Sequence, residues 1–91
     1  MEEYNREISS LLDVCRSYIK GGVDLLFVQA KIRLTEDIIY SYENRHCAQF
    51  LSKIENQIER IIYTIDDDDQ ELASKKVCSE IIDYFNNKSA L

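Results

Sequence analysis

The stretch that decides the fold is Cys47–Ile65, CAQFLSKIENQIERIIYTI. Its residues Cys47, Leu51, Ile54, Ile58, Ile61 and Ile65 are spaced by alternating steps of four and three. That spacing lays one apolar seam along an α-helix, the geometry of bundle packing. Lys53, Glu55, Glu59 and Arg60 fall between the seam positions and form a charged outer face. A seam this short predicts one edge of an intramolecular bundle.

The segments around it repeat the pattern. Before it, Ile8, Leu11, Leu12, Cys15 and Ile19 form a stripe at helical spacing over Glu2–Lys20. Glu2 and Glu3 stand at the positive end of that helix and Lys20 at the negative end, as the macrodipole favours. Gly21–Gly22 supplies a left-handed stop. Asp24 is placed to cap a second helix. There Leu25, Val28, Ile32 and Ile39 take one side, and Phe27, Ala30, Leu34 and Ile38 a neighbouring side. So broad an arc predicts packing against two neighbours. Thr35 followed by Glu36 and Asp37 reads as a fresh cap, which predicts a kink or break near Leu34–Thr35. This segment ends within Ser41–His46. In the last segment Ala73, Val77, Ile81 and Phe85 make the buried stripe, with Cys78 and Ile82 beside it, and Asn86, Asn87 and Lys88 end it.

The chain has no proline, and its only glycines are the adjacent pair. Four amphipathic helices with short links therefore give an all-α, small antiparallel four-helix bundle, one domain over residues 1–91.

The composition excludes several functions. With 45% hydrophobic and 31% charged residues the chain is too apolar for a disordered tail and too charged for a membrane span. The acidic start MEEYNREISS has no signal-peptide pattern, so a cytoplasmic location is expected. Cys15, Cys47 and Cys78 are an odd, scattered set and read as reduced, buried thiols. The net charge of -6 disfavours direct nucleic-acid binding and favours basic protein partners.

Chemistry is poorly provided for. The sole histidine, His46, adjoins Cys47, but neighbouring helical residues point about 100° apart, which does not make a nucleophile pair. One histidine and three separated cysteines are a poor zinc set, and there is no Gly-rich phosphate loop. No catalytic role, metal or cofactor is expected.

The remaining feature is Tyr63–Leu72, YTIDDDDQEL. An EF-hand loop starting at Asp66 needs glycine at its sixth position and glutamate at its twelfth, but Glu71 and Val77 stand there. Asp68 as N-cap with Glu71 at N3 reads as a capping box, which leaves Asp66 and Asp67 surplus to capping. Glu55, Glu59 and Tyr63, spaced by four, share a helix face leading into the aspartates. Acids beside tyrosine suit a protein interface, whereas a tyrosine near a helix end also suits a core, so for Tyr63 both readings stand. Tyr40 and Tyr42 with Glu36 and Glu43 form a second cluster of the same kind.

In LLDVCRSYIKGG (Leu11–Gly22) and IDDDDQELASKKVCSEIIDYF (Ile65–Phe85) the chain resembles the colicin D immunity family. Relatives of that family include immunity proteins of contact-dependent inhibition systems. The resemblance implies a small acidic bacterial bundle that covers the basic active site of a nuclease toxin. Asp66, Asp67, Asp68, Asp69 and Glu71 would then stand in for nucleic-acid phosphates. The expected partner surface is this set with Tyr63, Glu59 and Glu55. A phage-encoded acidic inhibitor of a host nucleic-acid-binding defence protein would need the same surface, and gene neighbourhood separates the two. A homodimeric structural or regulatory bundle, pairing through the Cys47–Ile65 seam, is the third reading. The oligomeric expectation is a monomer or weak homodimer.

Overall fold

The computed structural model describes residues 2–41 and 45–89. They form four helices, α1 (Glu2–Ile19), α2 (Leu25–Ser41), α3 (Arg45–Thr64) and α4 (Asp67–Ser89), with no strand among the described residues. Successive helices pack side by side and α4 closes against α1, so the bundle is a ring of four. It measures 39 × 22 × 21 Å. No helix among the described residues is long and apolar enough to cross a membrane.

The core is the sum of the four stripes. Leu11 and Cys15 from α1, Val28, Ile32 and Ile39 from α2, Leu51, Ile54 and Ile58 from α3, and Cys78 and Ile81 from α4 are essentially water-free. Burial of one such aliphatic side chain contributes about 1.5–3 kcal/mol, so the α3 seam is a main source of stability. That seam is spent inside the bundle, because Cys47, Leu51, Ile54, Ile58 and Ile61 are all buried by their own chain. It offers no free face for pairing between chains. Cys15 shares a hydrogen bond with Cys78 across α1 and α4; that bond, then burial, pushes the Cys15 thiol far above its usual range. At the opposite end from the aspartates, Phe50 stacks on Tyr84 with ring centroids 3.8 Å apart, and Phe85 meets both edge-on. The Tyr4 and Tyr84 hydroxyls donate to the buried Cys47 Sγ at 3.6 and 3.8 Å.

Helix ends follow local chemistry. Gly21 has φ 87°, the left-handed conformation that terminates α1, and Gly22 N–H returns to Ser17 O at 2.7 Å. Asp24 caps α2, its carboxylate accepting from Phe27 N–H at 2.8 Å.

Three sequence expectations are corrected. Helix α2 runs unbroken through Thr35. Thr35 is fully buried, and its hydroxyl proton lies between Lys31 O (2.8 Å) and Glu7 Oε1 (3.3 Å). The side chain thus satisfies itself within the helix and against α1, with no new helix start. Helix α2 does pack against two neighbours, α1 and α3, but its second apolar side is covered only in part: Ile38 is half-buried while Phe27, Ala30 and Leu34 face water. Finally, α4 begins earlier than a cap at Asp68 requires. Asp66 holds the N-cap position, its carbonyl accepting from Asp69 N–H (2.9 Å) and Gln70 N–H (3.0 Å). Asp67, Asp68 and Asp69 are then the first turn, and Glu71 lies beyond N3.

Candidate functional site: the acidic end of the bundle

Antiparallel packing brings the α1–α2 and α3–α4 links to the same end. Gly21 and Asp24 from one link line a shallow hollow together with Gln70 and Glu71 from the start of α4. The N-termini of α2 and α4 both point out here. Each presents unpaired N–H groups and a partial positive charge that favours nearby carboxylates by about 0.3–1 kcal/mol apiece. Asp24 and the run Asp66–Asp69 therefore sit where helix electrostatics tolerates them, and no residue of the run is surplus to the helix start.

The link itself is fixed by Gln70. Its side-chain amide donates to the carbonyl of Ile62 (3.2 Å) in the last turn of α3 and to that of Ile65 (3.0 Å) just past the helix. This ties the first turn of α4 to the last turn of α3 and holds the aspartates in one place.

Of the expected partner surface, Asp66, Asp68, Asp69 and Glu71 are exposed. Glu71 pairs with Lys75 one turn on, at 2.9 Å. Among the described residues no cation lies within ion-pair distance of Asp66, Asp68 or Asp69. Tyr63 is 82% exposed, directed away from the core, which decides against a packing role. Leu72, which sequence reasoning did not place at this site, is 74% exposed and lines a depression with Ile65, Asp69 and Lys76. Exposed acids following an exposed tyrosine give the mixed surface that protein interfaces use.

Glu55 and Glu59 are tied to α2. Arg33 of α2 reaches across to α3, its Nε donating to Glu55 Oε1 at 2.5 Å and its Nη2 lying 3.6 Å from Glu59 Oε1. Both acids are thus partly neutralised where α2 packs on α3; Glu59 lies one turn and Glu55 two turns before Tyr63 on α3. Glu36 joins this group. Burial first, then a hydrogen bond with Glu55 and the charges of Glu55 and Asp37, push its carboxyl up to about 7 against the opposing pull of Arg33.

Of the second acid-and-tyrosine cluster, Tyr42 and Glu43 lie outside the described residues. Tyr40 is exposed and shares a shallow groove between α2 and α3 with Glu36, Arg45 and Gln49. His46 is exposed while Cys47 is buried, so the helix turns imidazole and thiol apart. Among the described residues no three His, Cys, Asp or Glu side chains are grouped to hold a metal ion. Compared with protein-family models, with curated proteins and with solved structures, the chain finds no match.

Proposed function

We propose that the chain is an immunity-type inhibitor, a binding protein without chemistry of its own. Its acidic end covers the basic active site of a nuclease toxin domain. The observation that carries this reading is that Tyr63, 82% exposed, stands just before the exposed Asp66, Asp68 and Asp69 at the α3–α4 link that Gln70 ties down. The carboxylates supply long-range attraction to a cationic cleft and set the orientation of approach. Tyr63 supplies the apolar area that slows dissociation. The net charge of -6 adds to the steering. Glu55 and Glu59, already engaged by Arg33, belong to the rim of such a contact.

The test is whether a nuclease toxin gene lies beside this one and whether its product associates with the chain, followed by stopped-flow mixing across about 0.05–0.5 M salt. The variant D66N/D68N/D69N should associate at least about tenfold more slowly at low salt, with a flatter salt dependence. Tyr63→Ala should act mainly on the dissociation rate. Asparagine still caps a helix, so thermal melting of the triple variant separates lost binding from lost folding. An unchanged association rate, or unchanged inhibition of cleavage, removes the reading.

A further inference from the structure

We infer that Cys15 and Cys78 are a latent disulfide, which a small-molecule disulfide of the glutathione class closes into a covalent tie between the first and the last helix. Cys15 of α1 and Cys78 of α4 both lie at 0% exposure in the core. Their helices pack on each other and close the ring of four. The two thiols share a hydrogen bond across that contact, so the sulfurs already meet. Rotation about the two Cα–Cβ bonds brings them towards the S–S bond length of about 2.05 Å. A lone buried cysteine packs as a small hydrophobe; two in contact also have a bond to form.

The third cysteine is set apart. Cys47 of α3 accepts from the hydroxyls of Tyr4 and Tyr84, and Tyr4 stands about 16 Å from Cys15 along α1. Cys15 and Cys78 therefore have each other as sulfur partner. A metal does not claim the pair either, since among the described residues no three His, Cys, Asp or Glu side chains are grouped to hold one.

The exchange balances. The shared hydrogen bond holds the Cys78 thiol below its ordinary range against burial and pushes that of Cys15 up, so Cys78 supplies the attacking thiolate, its proton going to solvent. It attacks one sulfur of oxidised glutathione, breaking that S–S bond and releasing one glutathione thiolate. The Cys15 thiol gives its proton to that thiolate. Its sulfur then attacks Cys78 and expels the second glutathione, which takes a proton from solvent. Two protein thiols are oxidised, and one glutathione disulfide is reduced to two thiols. Both sulfurs are sealed from water, so exchange waits on local lifting of α1 or α4, and the finished bond is sealed from reductant in the same way. It closes a loop over residues 15–78, most of the chain, and removes that freedom from the unfolded state. Oxidation thus stiffens the fold without touching the Gln70 tie or the acidic end.

The full chain, reduced and then equilibrated with excess oxidised glutathione in urea below its unfolding midpoint, tests this. The product should be a monomer about 2 Da lighter, with Cys47 still open to alkylation after unfolding. Trypsin should release peptides 7–16 and 77–88 joined, and 46–53 joined to neither. The melting temperature should exceed that of the reduced chain by on the order of 10 °C at any protein concentration. Cys15→Ala and Cys78→Ala should each abolish the cross-link and the gain, whereas Cys47→Ala should keep both. Each variant is compared with its own reduced form, so that lost packing cancels. A chain that keeps its thiols, or carries only mixed disulfides with glutathione, overturns the inference. So does a link through Cys47, or a Cys15–Cys78 link that lowers the melting temperature, which would mean that the native contact does not fit the bond.

Discussion

The Gln70 amide donates to the Ile65 carbonyl at 3.0 Å across the α3–α4 link. A second bond from the same nitrogen, to Ile62 O at 3.2 Å, makes this one side chain the lock between two helices. Gln70→Ala releases both carbonyls to water and should cost about 1 kcal/mol in urea unfolding. Gln70→Glu should cost more, because a carboxylate donates nothing and faces the carbonyl end of α3. A glutamate variant as stable as wild type would show that the link is held by other contacts.

The start of α4 shows where sequence reading stops. Four identical aspartates offer a cap at each register, and nothing local separates Asp66 from Asp68. The choice is made by Gln70, whose bonds to α3 fix where the first turn of α4 must begin. The α3 seam and the Asp24 cap were legible because periodicity and capping are local. The burial of Thr35 was not, since its Thr-Glu-Asp context imitates a helix start and its partner Glu7 lies 28 residues away. Arg33 was overlooked for the same reason. Its tie to Glu55 and Glu59 is a contact between helices, which spacing along one helix cannot show.

Lys31 Nζ meets Glu7 Oε1 at 2.6 Å, and both side chains are only 18% exposed. Removing the cation strands a carboxylate that the bundle keeps largely from water. Lys31→Met should therefore destabilise by about 1–3 kcal/mol. Adding Glu7→Gln to that variant should restore much of the loss, because the stranded charge is gone. Chemical denaturation of wild type, both single variants and the double variant gives the coupling directly. Additive effects would mean that the pair is solvated and contributes little.

The two glycines of the first link are not equivalent. Gly21 holds φ 87°, and a Cβ built there touches nothing within 4 Å, so the cost of Gly21→Ala is purely conformational. It should amount to about 1–2 kcal/mol. At Gly22 no positive φ is imposed, and a Cβ meets Ser17 O at 3.4 Å and Ser17 Cβ at 3.8 Å, both ordinary contacts. Gly22→Ala should be tolerated, or stabilise slightly by restricting the unfolded chain. Equal losses at both positions would contradict the assignment of the helix stop to Gly21.

Glu36 gives the bundle a pH dependence opposite in sign to that of an ion-paired acid. Its carboxyl is pushed up to about 7, by burial first and then by Glu55 and Asp37, with Arg33 opposing. A folded-state value above the unfolded one means that the folded chain binds the proton more tightly. The stabilisation from this group is therefore fully present below about pH 4.5, the unfolded value, and is lost as pH rises through about 7. Between those limits Glu36 makes the protein more stable as the solution becomes more acidic, until other carboxylates protonate. Glu36→Gln keeps a neutral hydrogen-bonding side chain at every pH, so it should raise the melting temperature at pH 8 and leave it nearly unchanged at pH 5. The difference in melting temperature between wild type and Glu36→Gln, followed from pH 5 to 8, should widen with pH. A constant difference would mean that Glu36 ionises in the fold as it does in the unfolded chain, with Arg33 offsetting burial, Glu55 and Asp37.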